Sequence, residues 1–468
     1  MSIFFSQRVP STPLRTRWVT LRETCIFAPK GDDTFMRFLF LMDSKSGLLN
    51  IKDKILYTLI VIFFITFYLP YWPAINNIVI GGMALFSFFY NSFREKFDLL
   101  AKRKELILMI LFYLVHIISA FLSQNQHEGF SWTTMRMPLL VFPIIIGLLY
   151  IGQELKERII FAYAVLTTVA IILCFISAIK EFIVTGDASL LYNDNLTLLI
   201  NKQSIYIALM TNIAIFSFAY LLGIKAKSVS KRGLVYVALG ILVVANFLMA
   251  SRIGIITLYG SIFCITVWYA IRQRMFKPLL IVGGAVVVAL LVLVAFFPKT
   301  LNRFRELEYT DYQYTHHGVE SHFNMKVTGD QWTGANIRLA VWSCGWEVVK
   351  QYPVFGVQVG DKVDHMMEVY AEKKFDFAYN SRRNMHNNYL DILESFGFTG
   401  LLIFALGFLL LPLIKCFQTK DFFGVFVIVA FMLSFIPETY FDRSMGNMIF
   451  AFFISFVVSY RKAEGSSE

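Results

Sequence analysis

Long apolar runs separated by short polar stretches dominate the chain and restrict what it can fold into. A helix needs ~20 predominantly apolar residues to cross a bilayer. Runs near that length recur twelve times: Ile55–Tyr71, Ile75–Tyr90, Leu106–Leu122, Pro138–Ile151, Ile159–Ile179, Ile205–Ile224, Leu234–Ala250, Ile253–Ile271, Pro278–Phe297, Phe398–Cys416, Phe422–Ile436 and Gly446–Tyr460. They are continuously apolar rather than alternating, which calls for helices and not a membrane barrel. A soluble fold has no place for this much apolar surface. Of 468 residues 57% are hydrophobic and 16% charged, where soluble domains carry roughly 25% charged residues. The fold expected is an all-α polytopic membrane protein with about twelve transmembrane helices.

A net charge of +11 on one soluble surface would suggest nucleic acid. Here the basic residues sit in alternate loops. One set of loops holds Arg94, Lys96, Lys102, Arg103 and Lys104, then Lys156 and Arg158, then Lys225, Lys227, Lys231 and Arg232. It continues with Arg272, Arg274 and Lys277, then Lys415 and Lys420, and ends with Arg461 and Lys462, while the intervening loops are almost bare. Basic residues stay on the cytoplasmic side of short loops, so both termini are expected there, and no nucleic acid is needed to explain the charge.

The expected organisation is a cytoplasmic N-terminal segment (1–54), nine spans (55–297), a large extracytoplasmic loop (298–395), three further spans (396–460) and a cytoplasmic tail (461–468). The first fifty residues contain no long apolar stretch of the kind a signal peptide needs, and Met36 and Met42 are alternative starts. The five cysteines follow no zinc or redox spacing.

The loop is nearly neutral, with eleven Lys/Arg and thirteen Asp/Glu. Asn336 is read as a helix cap, because Ile337, Ala340, Val341, Cys344 and Val348 then share one face. Pro353 ends that helix. A second helix is expected to begin near His386, with Tyr389, Leu390, Leu393 and Phe396 on one side, running through Gly397 and Gly400 into the tenth span. A loop this long with amphipathic helices of its own points to function.

Basic residues on the otherwise bare outer side are the first candidates for chemistry. Arg252, in the short hinge Ser251-Arg252-Ile-Gly254, must lie at or near membrane depth, where an Arg costs ~2.5–3.5 kcal/mol on insertion scales and takes a partner or a ligand. It either snorkels or binds an anion. Arg443 has neighbours in Asp442 and Glu438 to pair with, and Arg136 poses the same question. Arg338, near the start of the loop helix, is either a solvated face residue or half of a phosphate site with the helix amides. His386 either caps locally or takes a proton from a substrate hydroxyl; Asp391 and Glu394 share no clean face with it, so no carboxylate–His dyad is expected from them. His316, His317 and His322 match no zinc spacing, and no metal site or cofactor is expected. No phosphate-binding P-loop or dinucleotide fingerprint occurs.

The stretch Arg338-Leu-Ala-Val-Trp342, then Pro353-Val-Phe-Gly356-Val-Gln-Val-Gly360, then His386-Asn387 with Gly397 and Gly400, resembles the O-antigen ligase family. So do Ser251-Arg252-Ile-Gly254 before a span, the late Glu438 and the layout with one large loop near the end; the similarity runs from about Ile205 to Tyr460. The resemblance implies a GT-C-like membrane glycosyltransferase in a bacterial inner membrane, with its active site facing the periplasm. The implied donor is an undecaprenyl-diphosphate-linked glycan and the implied acceptor a hydroxyl of lipid A–core oligosaccharide, or a second lipid-linked glycan in the related polymerases. His386, Arg338 and Arg252 become the implied catalytic residues, with Asn387, Glu438, Arg443 and Arg136 as substrate contacts. The rival reading is a flippase or transporter of lipid-linked sugars, which commonly shows internal repeats and midplane charges. Here the polar candidates cluster on one side and no repeat is visible.

Overall fold

The computed structural model describes residues 49–70, 73–226, 231–274, 306–315 and 331–460, with isolated positions at 229, 280, 283, 284, 288, 291 and 304. Residues 1–48, most of the ninth expected span Pro278–Phe297, His316, His317, His322 and the tail 461–468 lie outside the described residues.

The chain up to the large loop forms α1 (Ile51–Tyr68), α2 (Pro73–Tyr90), α3 (Phe93–Lys102), α4 (Lys104–Leu122), α5 (Gln126–Met135), α6 (Pro138–Ile145), α7 (Gln153–Thr185), α8 (Ser204–Gly223), α9 (Arg232–Leu248) and α10 (Arg252–Gln273). The loop contributes α11 (Asn336–Gln351), α12 (Lys362–Glu372) and α13 (Asp376–Asn380). Then follow α14 (Asn388–Phe404), which continues through a π-helical turn into α15 (Leu411–Thr419), α16 (Phe422–Ser434) and α17 (Ser444–Ser459). Among the described residues no strand forms. Side-chain caps set several starts. Ser92 and Glu95 close a capping box on α3, Ser251 takes the Gly254 N–H on α10, and Asp421 takes the Gly424 N–H on α16.

Four rods are long and apolar enough to cross a membrane: α4, α7, α8 and Asn388–Thr419. α2 and α3, bent by 99° where they meet, make a fifth if counted together, and α9, α16 and α17 are shorter apolar helices. α4 shows how such a helix is used. Ile107, Leu111, Leu114, Ile118 and Phe121 form an exposed apolar stripe, while Leu106, Met109, Phe112, Tyr113 and His116 are buried on the other side. That stripe suits lipid, because water would exact the full cost of the exposed area. α17 is different: every residue from Gly446 to Ser459 is buried, as befits a helix apolar all round at the centre of a bundle. Phe452 and Phe453 of α17 pack with Phe63, Phe64, Phe142 and Tyr163 of α1, α6 and α7.

Two expectations need correcting, and a third is sharpened. The stretch read as a span over Pro138–Ile151 forms only the eight-residue α6, because the carbonyls of Gly147 and Leu149 turn instead to the buried Arg103 guanidinium, which also holds Ser459 O at 3.1 Å. Asn336 is the first residue of α11 and not its cap; the Thr333 hydroxyl accepts from its N–H at 3.1 Å, and the Asn336 amide accepts from Thr333 N at 2.7 Å. The second loop helix begins near His386 as expected, at Asn388, with Asn387 as its cap.

The loop builds a core of its own. The five apolar positions read on one face of α11 are all buried, against Trp332, Met366, Val369, Tyr370 and Phe375. A polar strap then docks this unit on the C-terminal end of α4. Asp361 accepts from Gln124 N at 2.9 Å and Asn125 N at 2.8 Å, while Val359 N and Gly360 N donate to the Ser119 and Ser123 hydroxyls.

The two glycine motifs of the loop meet each other. Gly397 has φ 63° and breaks α14; Gly356 has φ 69°. Around them Val357 N donates to Glu394 O at 2.8 Å and Phe398 N to Pro353 O at 2.8 Å. A Cβ on Gly397 would lie 2.3 Å from the Val354 carbonyl, and one on Gly356 2.4 Å from Glu394 O. Gly397→Ala is therefore expected to cost about 2–5 kcal/mol, from left-handed strain plus backbone overlap, read as a lower melting temperature in detergent. Gly240→Ala is the control: nothing lies within 4 Å of its Cβ position in α9, and it should melt no lower than the parent.

Candidate active site

The segment between α16 and α17 organises one end of the bundle. Asn388 N donates to Phe435 O at 2.9 Å, Asn387 N to the Thr439 hydroxyl at 3.1 Å, and Phe441 N to Asn388 Oδ1 at 3.1 Å. The Asn387 side chain meanwhile caps α14, accepting from Tyr389 N and Leu390 N. These three bonds to the neighbouring segment fix the residue just before them, His386, in a left-handed turn with φ 44°.

His386 Nδ1 lies 3.3 Å from Glu438 Oε2, with the two side chains 26% and 14% exposed. The carboxylate partner missing from the local sequence pattern is therefore supplied from 52 residues downstream. Arg338 reaches the same segment. Its Nε donates to Pro437 O at 3.0 Å and another guanidinium N–H to Gly334 O, which fixes the plane of the group. Burial alone would raise the Glu438 carboxyl. The hydrogen bond and charge of His386, with the Arg338 guanidinium and the Thr439 N–H, outweigh it and hold the group below its usual range. The stability this carboxylate adds is thus present above the ordinary carboxylate pKa and lost as pH falls through the lowered value.

Behind this trio lies an ion network with no warning in the sequence. Arg136 is fully buried and donates to Asp391 at 2.7 Å and Asp442 at 3.3 Å. Lys362 of α12 bridges the same two carboxylates, 3.0 Å from Asp442, and its ammonium sits 4.1 Å from the Trp132 ring centroid. Burial lowers the Lys362 ammonium, but Asp391 and Asp442 more than offset that, and its pKa stands above the usual value. Asn384 Nδ2 completes the set on Asp442 Oδ2 at 3.1 Å. Two cations and two anions from four distant parts of the chain so lock the loop to the bundle. Lys362 looked like one loop lysine among several, and nothing local marks it.

Of the other expected site residues, Arg443 is exposed and makes no ion pair among the described residues; Asp442 is engaged by Arg136 and Lys362 instead. Arg252 is half-buried and opens α10. Its helix is tied to α8 by the Asn212 amide, which donates to Gly254 O at 2.8 Å. α8 meets the organising segment where Tyr206 packs on Tyr440, ring centroids 4.9 Å apart. His386, Asn387, Arg338 and Glu438 are thus joined by direct hydrogen bonds to one segment, with Arg252 at the same end of the bundle on a neighbouring helix.

Residues 237–405 match the sequence family described as O-antigen ligase. Over this stretch the chain is similar to O-antigen ligases. The matched range takes in Arg252, Arg338, His386 and Asn387, whereas Glu438, Arg443 and Arg136 fall outside it. Its long apolar helices are those of a multi-pass membrane protein, and the matched stretch is similar to O-antigen ligases. Among curated proteins none matches the chain.

Proposed function

We propose that the chain is a membrane glycosyltransferase that moves a glycan from an undecaprenyl-diphosphate carrier to a hydroxyl of lipid A–core oligosaccharide, without a metal ion. The observation that carries this reading is the His386–Glu438 pair beside Arg338 in a chain similar to O-antigen ligases over residues 237–405. With Nδ1 turned to Glu438, Nε2 is the nitrogen left to face an acceptor. The acceptor hydroxyl attacks the anomeric carbon and its proton passes to His386 Nε2. The bond from that carbon to the phosphate oxygen breaks, and the carrier diphosphate departs with the electron pair, inverting the anomeric centre. Negative charge grows on the leaving phosphate, where Arg338 and Arg252 supply fixed positive charge. On this reading the 298–395 loop lies on the periplasmic face of a bacterial inner membrane, the apolar spans hold the polyprenyl tail, and Asn387, Glu438, Arg443 and Arg136 position the groups that touch sugar.

The test is transfer in vitro by the purified full chain, with a defined lipid-diphosphate glycan and two acceptors, a lipid A–core and a second lipid-linked unit. Product on lipid A–core is expected; elongation of the lipid-linked unit alone would make the enzyme a polymerase, and no product with either would remove the reading. Adding EDTA should leave the rate within twofold of the untreated enzyme. An absolute need for a divalent ion would break the assignment of phosphate charge to the arginines.

A further inference from the structure

A cavity of about 580 Å³ opens between α5, α12 and the turn leading to His386, within the range that holds small ligands. None of His386, Arg338 and Glu438 lines it, but Asn384 and Met385, the two residues before His386, do. We infer that this cavity is a saccharide subsite, seating a short oligosaccharide next to the residue that takes the acceptor's proton. The identity of the sugar rests on the glycosyl-transfer reading above; the existence of the subsite does not.

Two observations point to a hydroxyl-rich ligand rather than a phosphate. The first is charge. Lys362, Arg382, Arg383 and Arg443 line the cavity together with Glu128, Asp364, Asp391, Glu394 and Asp442. Lys362 is already neutralised between Asp391 and Asp442, so the walls are mixed in sign and offer no concentrated positive field to a dianion. The second is a pair of unmet polar atoms. Trp132 Nε1 and Glu394 Oε1 belong to lining residues and are buried with no hydrogen-bond partner, and Glu394 is only 2% exposed. Buried polar atoms in folded proteins are normally paired. One of these donates and the other accepts, and sugar hydroxyls do both.

The experiment is direct binding to the full chain in nanodiscs, read by saturation-transfer NMR. Two probes are used: the core oligosaccharide released from lipid A and the repeat-unit oligosaccharide released from its diphosphate carrier. One should bind saturably, and which one says whether the subsite serves acceptor or donor. Trp132→Phe keeps the ring but loses the donor, and Glu394→Leu removes the acceptor; each should weaken that Kd at least tenfold. Glu394→Leu should do so with no fall in melting temperature, because an unpaired buried carboxyl is replaced by an apolar group. Arg443→Gln, exposed at the rim, should weaken binding severalfold and carries the test if a buried variant fails to fold. Saturable binding to neither oligosaccharide, or folded variants that all bind like the parent, would overturn the subsite. Loss of binding in the variants of a protein that shows no transfer would leave the subsite standing and remove only the catalytic reading.

Discussion

His386→Ala should lower turnover by about 10²–10⁴-fold, the usual worth of a positioned general base, while the protein stays folded. The second half of that expectation follows from where the holding bonds are. The turn is fastened by Asn387 and Asn388 to Thr439, Phe435 and Phe441, and none of those bonds uses the imidazole, which is itself part-exposed. Glu438→Gln should cost less, because it keeps the shape and removes only the charge that fixes the imidazole tautomer. The decisive measurement is the double variant. If the two side chains act as one unit, His386→Ala with Glu438→Gln is no slower than His386→Ala alone. Initial rates with purified enzyme, alongside melting temperatures within a few degrees of the parent, check this. Losses that multiply would show that Glu438 acts elsewhere, and near-parental turnover in His386→Ala would remove the base altogether.

What could be read from the chain before its structure was known follows from how local each signal is. Apolar runs and 3–4 spacing report on the nearest few residues, so the helices and the buried face of α11 were legible, from Ile337 to Val348. The candidates His386 and Arg338 were legible as residue types in a telling place. Their partners were not. Glu438 joins His386 across 52 residues, and Arg136 joins Asp391 across 255. No periodicity spans such distances, and a search confined to the same helix face missed the carboxylate. The same limit explains why Asp391 seemed idle: its partners arrive from α12 and from the residue following α5. Pro138–Ile151 misled for another reason. Hydropathy registers an apolar run but not the buried guanidinium of Arg103, which captures the carbonyls that would have continued the helix.

Arg338→Lys should lower turnover by about 10²–10³-fold, comparable to removing one preorganised donor from a site of developing negative charge, although the formal charge is unchanged. The guanidinium uses its Nε and one terminal nitrogen to grip the carbonyls of Pro437 and Gly334, which sets the plane of the group beside Glu438. A planar fork presents several donors at fixed angles; an ammonium on a flexible stem cannot hold two carbonyls in that arrangement and also meet a phosphate oxygen. The loss should fall on kcat more than on KM, since the charge on the departing phosphate is fully developed only in the transition state. Arg232→Lys supplies the contrast, because that residue is exposed at the start of α9 and belongs to no part of the site; its rate should stay within a few-fold of the parent. There is a rival explanation, in which Arg338 merely braces the segment that carries Glu438. A brace would lower the melting temperature and leave the kcat of the folded fraction intact, whereas a phosphate contact lowers kcat in a protein that melts normally. Undiminished turnover in Arg338→Lys would therefore reduce Arg338 to a strut and pass the leaving phosphate to another cation.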